Sequence, residues 1–184
     1  MDDKTGLERE LKFHCPDLNT LRERLVGADA ERVAPSSLED NLIFDRGLEL
    51  VESGRILRLR RDGSGARLTY KGPATYEGGV KVRKEQETRV ADAEAVEQIL
   101  TSLGYEVTGR YQKHREEWAV GGVLVALDHT PIGDFTEFEG DGAETLAARF
   151  GFPAEGAERR NYLELYADHR KDNPAAPEDM VFVR

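Results

Sequence analysis

The chain has a single cysteine, Cys15, which excludes an internal disulfide and fits a reducing compartment. Long apolar runs are missing: the longest, Val123 to Leu127, falls far short of the roughly 20 residues a membrane-crossing helix needs. The opening Met1-Asp2-Asp3-Lys4 carries no apolar signal segment, so a cytoplasmic location is expected. There is no phosphate-cradling G-x-x-x-x-G-K-[ST] loop, no H-E-x-x-H, and no Ser–His–Asp set that spacing nominates. His14 beside Cys15 has no second His or Cys at ligand spacing, and His14, His114, His129 and His169 share no common spacing. A His or Cys metal centre is therefore not expected. Positive charge is also in deficit: 26 Lys and Arg stand against 36 Asp and Glu, a formal net charge of −10. That balance argues against non-specific nucleic-acid or membrane partners. A phosphorylated small molecule stays open, because a site can be locally basic inside an acidic protein.

What is present is charge on strand-like alternation. Successive side chains of a strand point to opposite faces. In the first such stretch Glu8, Glu10 and Lys12 share one face, and Leu7, Leu11 and Phe13 the other. The layout recurs as Arg58 and Arg60 around Leu57 and Leu59, and as Thr69 and Lys71. It recurs again as Lys81, Arg83, Glu85 and Glu87, as Lys113 and Arg115, and as Glu137 and Glu139 around Phe138. One solvated face of an antiparallel sheet gives a similar alternation, but such a face usually mixes in Ser, Thr, Asn and Gln. Here like charges recur two residues apart, which is unfavourable unless something neutralises them. The pattern predicts an α+β protein: a closed eight-stranded antiparallel β-barrel with a charged interior and helices packed outside. Lys and Arg inside suit a polyanion, and the carboxylates suit a divalent metal.

With 184 residues, 39% hydrophobic and 34% charged, the chain is long enough for one domain with a sizeable core. Strands are expected at 7–13, 38–45, 55–61, 66–71, 80–89, 107–119, 122–128 and 134–140. Gly72-Pro73 to Gly78-Gly79 is expected to be a loop. Helices are expected from Pro16-Asp17 to Gly27, from the Asp92 cap to Leu103, from Ala143 to Phe150, and from Asn161 to His169. Each half thus runs strand, helix, three strands. Residues 1–170 are expected to form a single domain, and 171–184, with Asn173-Pro174-Ala175-Ala176-Pro177, a flexible tail. Trp118 and Tyr111 are expected to pack on the barrel exterior.

At this point the residues resemble a family. Glu8-x-Glu10-x-Lys12 resembles the signature of the CYTH superfamily, the triphosphate tunnel metalloenzymes. Glu39-Asp40-Asn41, Leu57-Arg58-Leu59-Arg60, Thr69-Tyr70-Lys71-Gly72-Pro73 and Lys81-x-Arg83-x-Glu85-x-Glu87 follow in the family's order. So do Tyr111-x-Lys113-x-Arg115, Leu127-Asp128, Gly133-Asp134-Phe135-Thr136-Glu137-Phe138-Glu139 and Asn161-Tyr162-Leu163-Glu164-Leu165. The resemblance is nearest the class IV adenylyl cyclase-like bacterial branch, on Leu103-Gly104-Tyr105 and Ile132-Gly133-Asp134-Phe135. It departs in two places. Leu42, Ile43 and Phe44 stand where many relatives carry a Tyr paired with the signature Lys, and Asn161 stands where Ser is common.

The resemblance implies a divalent-metal-dependent enzyme acting on a nucleoside, thiamine or inorganic triphosphate. Lys12, Arg58, Arg60, Lys71, Lys81, Arg83, Lys113 and Arg115 would bind the substrate. Glu8, Glu10, Glu85, Glu87, Glu137 and Glu139 would hold Mg²⁺ or Mn²⁺. Glu85 and Glu87 could instead pair with Arg58 and Arg60. Lys12, Lys71 and Asp128 are the catalytic candidates, Asp128 either linked to metal or orienting a Lys. Phosphoryl and nucleotidyl transfer need mainly positioning and charge neutralisation. Hydrolysis of the triphosphate leads. Cyclisation of ATP to cyclic AMP and pyrophosphate is the alternative, and non-catalytic binding of polyphosphate or nucleotide the third reading. The protein is expected to act as a monomer or homodimer.

Overall fold

The computed structural model describes residues 6–183. The alternating stretches form β1 (Leu7–His14), β2 (Glu31–Asp45), β3 (Ile56–Asp62), β4 (Gly65–Lys71) and β5 (Thr75–Glu77). They continue as β6 (Val80–Val90), β7 (Glu106–Val120), β8 (Val123–Thr130) and β9 (Gly133–Glu139). Eight strands close a ring in the order β1-β9-β8-β7-β2-β3-β4-β6, and the β1–β6 pairing seals it. Every pairing in the ring is antiparallel. The sealing strand β6 divides its edges: Lys81 to Lys84 pair with β1, and Glu85 to Val90 pair with β4. The helices α1 (Leu18–Gly27), α2 (Glu49–Glu52), α3 (Ala93–Ser102), α4 (Ala143–Arg149) and α5 (Tyr162–Asp172) pack outside the wall. The α+β barrel expected from the alternation is the fold of the chain.

Caps fix where the helices start. The Asp17 carboxylate accepts from the backbone N–H groups of Asn19 and Thr20, and Asp92 accepts from Ala95. Asn161 accepts from the Glu164 N–H while Glu164 accepts from the Asn161 N–H, a closed capping box. The residue that departs from the common Ser thus does the capping work a Ser would do.

The core lies outside the ring, between wall and helices. Leu11, Phe13, Trp118, Val125, Leu127 and Phe138 meet Leu21, Leu25, Leu146 and Phe150 of α1, α4 and the residue that ends α4. A second cluster sets Phe44 and Leu59 against Leu100 of α3. Burial of each such side chain stabilises the fold by roughly 1.5–3 kcal/mol. Outward apolar faces hold the helices, and that leaves the inward faces to charge.

Four local features differ from expectation. β2 starts at Glu31, running through Pro35 with register shifts near Ala34 that accommodate the missing N–H. β5 occupies part of the expected loop: Gly78 and Gly79 both have positive φ, so they turn Thr75–Glu77 back onto Val80–Val82. α2 is a single turn held by Asp45, whose carboxylate accepts from the N–H groups of Arg46, Leu50 and Val51. Tyr111 shares its face with Lys113 and Arg115 and so points inward, whereas Trp118, of the other parity, packs outside as expected.

The segment after α5, expected as a flexible end, lies along β7. Met180 accepts from the Gln112 N–H at 2.8 Å and donates to the Arg110 carbonyl at 3.1 Å. This contact uses an edge of β7 that β8 leaves free, since their pairing stops at His114–His129. Met180 is fully buried with Tyr111, Phe135, Tyr162, Leu165 and Tyr166. Among the described residues no helix is long and apolar enough to cross a membrane. Replacing Met180 by Ala should lower unfolding free energy by about 2–4 kcal/mol, while Val183→Ala, at 78% exposure, should change it by less than about 0.5 kcal/mol. Urea denaturation measures both, and equal small effects would mean that the tail contributes nothing to the fold.

Candidate active site

The inward faces enclose a cavity of about 1090 Å³. Glu8, Glu10, Lys12, Arg58, Arg60, Lys71, Lys81, Arg83, Glu85, Glu87, Lys113, Arg115, Glu137 and Glu139 all line it. Of the residues singled out from sequence, Asp128 alone sits behind the lining, fully buried. Strand register explains the convergence. Glu10 lies opposite both Lys81 and Glu139, Lys12 opposite Glu137, Glu8 opposite Arg83, and Lys71 opposite Glu85.

Charges this deep must be matched, because removing one partner of a buried pair costs about 3–5 kcal/mol. Lys71 bridges Glu8 at 2.6 Å and Glu85 at 2.8 Å. Arg83 reaches Glu8 at 3.2 Å and Lys81 reaches Glu10 at 2.9 Å. Glu87 takes Arg67 at 3.4 Å and Arg58 at 3.8 Å. Asp128 ties down a corner: it accepts from Lys113 at 3.0 Å, from Arg115 at 2.6 and 2.7 Å, and from the Tyr162 hydroxyl at 2.8 Å. Arg115 also pairs with Glu137.

Three residues join the site that the motifs did not nominate for it. Glu39 is buried and pairs with Arg60 at 2.9 Å and Lys113 at 3.7 Å. Burial alone would raise its carboxyl, but Lys113, Arg115, Arg60 and Arg58 outweigh that and hold it at about 2. Its register opposite Lys113 was the available signal. Tyr111 accepts a hydrogen bond from Arg58 at 3.3 Å. Tyr162, the first residue of α5, reaches from a helix into the barrel, and no strand periodicity could announce that. Its hydroxyl donates to Asp128, its oxygen lies 3.2 Å from Glu137, and the ammonium groups of Lys12 and Lys113 sit 4.6 and 5.0 Å from its ring centre. Burial, Asp128 and Glu137 raise its phenol well above the usual value and keep it protonated. A tyrosine ring therefore stands beside Lys12 although the second strand has no Tyr.

Two imbalances remain in this matched interior. On the cationic side, the buried Nε groups of Arg58 and Arg60 have no hydrogen-bond acceptor among the described residues, donors that a protein normally satisfies. Lys12 has its proton affinity lowered, first by burial, with Glu137 and Glu10 only partly restoring it; it donates to the Arg160 carbonyl. On the acidic side, Glu139 is pushed up to about 7, first by burial and then by Glu8 and Glu10. These carboxylates are the natural place for a divalent cation, whose hard oxygen donors they supply. As placed, no three of the described His, Cys, Asp or Glu residues are close enough to hold one, because Lys71, Lys81 and Arg83 occupy Glu8 and Glu10. Glu8, Glu10 and Glu139 are all-oxygen donors of the kind a hard divalent cation takes.

Known proteins share this fold. Residues 6–151 match the CYTH domain family. A provisionally named adenylate cyclase of Methanocaldococcus jannaschii is 28% identical over 136 residues, covering 72% of this chain and 76% of that protein. A structure from Vibrio parahaemolyticus, also provisionally named an adenylate cyclase, superposes with a TM-score of 0.78 at 23% identity over 88% of this chain and 98% of its own. A Hippeastrum protein, provisionally named an adenylyl cyclase and described as revealing a dominant triphosphatase activity, superposes with a TM-score of 0.67. It is 17% identical, over 88% of this chain and 96% of its own.

Glu139 yields a pH test. Its folded carboxyl titrates near 7 against an ordinary 4.5, so the folded state binds this proton more tightly than the unfolded state. The stabilisation is complete below about pH 4.5 and is lost as pH rises through 7. Metal-free Glu139→Gln should match the unaltered protein at pH 4.5 and melt several degrees higher at pH 8. Mg²⁺ or Mn²⁺ should close that gap by stabilising the unaltered protein. Coincident melting curves at pH 8 without metal would mean that Glu139 is already neutralised.

Proposed function

The chain belongs to the CYTH domain family, and on that premise we propose that it is a cytoplasmic, single-domain, divalent-metal-dependent enzyme that hydrolyses a triphosphate. The observation that carries the reading is the facing arrangement inside one cavity: unsatisfied guanidinium donors of Arg58 and Arg60 among eight cations, across from the crowded carboxylates Glu8, Glu10 and Glu139. Arg58, Arg60, Arg83 and Arg115 offer planar donors to phosphate oxygens, and Lys12, Lys71, Lys81 and Lys113 offer point charges. Glu8, Glu10 and Glu139 would hold Mg²⁺ or Mn²⁺, with Glu85, Glu87 and Glu137 as further donors. A bound cation there supplies neutralisation of phosphate charge.

The protein's own contribution is positioning and electrostatics. Cations fixed in advance around the phosphates stabilise the charge that moves to the leaving oxygen. Water attacks the terminal phosphorus, the bridging P–O bond breaks with its electron pair on the departing diphosphate oxygen, and the water proton is lost. Lys12 and Lys71 would touch the reacting phosphates, and the water proton passes to solvent in the open tunnel. Asp128 is a positioning residue that keeps Lys113, Arg115 and Tyr162 in place. A chain that only bound polyphosphate would need the cations but not the carboxylates against them.

Cyclisation of ATP is the second reading, favoured by the names of the M. jannaschii and V. parahaemolyticus relatives. It needs the ribose 3′-hydroxyl in line with the α-phosphorus. Hydrolysis needs only a held water, and the Hippeastrum neighbour's description favours it. With Mg²⁺ or Mn²⁺, ATP should yield mainly ADP and phosphate on anion-exchange chromatography; an excess of cyclic AMP and pyrophosphate would reverse the order of the two readings. Chelator should abolish turnover. Glu10→Gln should lower kcat about 10²–10³-fold, whereas Glu77→Gln, on an exposed side chain paired with Arg9, should leave it within about twofold.

A further inference from the structure

The apolar cluster under α1 and α4 and the one under α5 meet the cavity differently. No buried member of the first lines the cavity. In the second, Tyr111 and Tyr162 belong both to the apolar cluster and to the cavity lining. Their rings lie 5.8 Å apart. On the cavity side the Tyr111 hydroxyl accepts from Arg58, and the ammonium groups of Lys12 and Lys113 stand over the Tyr162 ring. On the outer side the same two residues share their cluster with Met180.

The chain after α5 brings Met180 to that place and holds it there. Met180 donates to the Arg110 carbonyl and accepts from the Gln112 N–H, so its two backbone bonds bracket Tyr111, its bridge partner. Two further tethers flank it. The Tyr166 hydroxyl donates to the Pro177 carbonyl at 2.8 Å, and the Phe182 N–H donates to the Gln112 side-chain oxygen at 3.3 Å. The Phe182 ring packs 5.1 Å from the His114 ring and 5.4 Å from that of His129. The Met180 side chain is fully buried, and an unbranched thioether suits an irregular gap among aromatic rings. A close-packed interior transmits strain, and the space left by a missing side chain is filled only partly, by movement of its neighbours.

We propose that Met180 is a positioning residue for the phosphate-binding cations: from outside the wall it fixes the Tyr111 and Tyr162 rings, and through them the directions of Arg58, Lys12 and Lys113. The inference rests on the triphosphate reading above and adds to it a part of the chain that touches no ligand. Asp128 holds Tyr162 at its hydroxyl. That single bond leaves the ring free to tilt, and packing around Met180 supplies the missing restraint.

Three variants separate positioning from packing alone. Met180→Ala opens space in the shared cluster, Met180→Leu keeps the volume, and Leu146→Ala opens space in the cluster that does not reach the cavity. Circular dichroism selects a temperature at which each is folded. Calorimetric titration with tripolyphosphate and Mg²⁺ should then find Met180→Ala weakened about tenfold, with Met180→Leu and Leu146→Ala within about twofold of the unaltered protein. A ligand-free readout accompanies it: the NMR resonance of the Tyr162 hydroxyl proton, assigned by its loss in Tyr162→Phe, should shift in Met180→Ala and stay in place in Leu146→Ala. Should Met180→Ala fail to fold, Phe182→Ala takes its place, since it loosens the tail without emptying the core; about threefold weaker binding is then expected. Unchanged affinity in the folded tail variant, or equal weakening in Leu146→Ala, would overturn the proposal. If the unaltered protein binds no tripolyphosphate, the triphosphate reading fails, and the hydroxyl resonance decides alone: unmoved, it overturns the role of Met180; shifted, it upholds Met180 as the residue that sets Tyr162.

Discussion

Ion pairing across a closed barrel is the constraint on which the rest of the molecule depends. Seven of the eight ring strands carry Lys, Arg or Glu into a space from which bulk water is partly excluded, and β8 carries Asp128. Unmatched charge there costs several kcal/mol per group. The register meets this by placing opposite charges side by side: Glu8 with Arg83, Lys12 with Glu137, Lys71 with Glu85, Glu39 with Lys113. Each pairing also fixes a side chain's direction, so the interior is organised before any ligand arrives. The apolar core can then lie on the outside of the wall, where the helices need it.

The pairing is incomplete in a directional way. Across β1 and β9, Glu10 faces Glu139, and across β3 and β4, Arg60 faces Arg67. Like charges directly opposite are unfavourable in a sheet. Under the proposed function a polyanion with its cation would relieve both, one on each side, and the stability given up in the empty barrel would be regained on binding.

The barrel and most of the site were legible because strand geometry gives period-two alternation a meaning. Once Glu8, Glu10 and Lys12 share a face, closure into a ring sets that face inside, and the same logic placed Arg58, Lys81 and Lys113. Legibility stopped where the face of a residue is set by something other than its own strand. Tyr162 enters from a helix end. Tyr111, expected on the exterior, has the parity of Lys113 and Arg115, and that parity carries it inward. β5 depended on a two-glycine turn with positive φ, and α2 on three backbone groups converging on Asp45. Neither leaves a periodic trace. Asn161 shows the converse case, a departure from a motif at a position where the side chain caps α5.

The sealing strand has a consequence for how such a barrel comes to exist. β1 is gripped on one side by Lys81 to Lys84 and on the other by Phe135 to Glu139, partners far along the chain. Contacts of such long sequence separation form late and slow a folding reaction. Until they form, β1 and its Glu8, Glu10 and Lys12 remain hydrated at an open edge. Desolvation of the charges and completion of the tunnel therefore coincide in one late step. The half-made barrel has neither the electrostatic tension of the finished one nor its enclosed cavity, and any ligand of that cavity can reward only the molecule that has already closed.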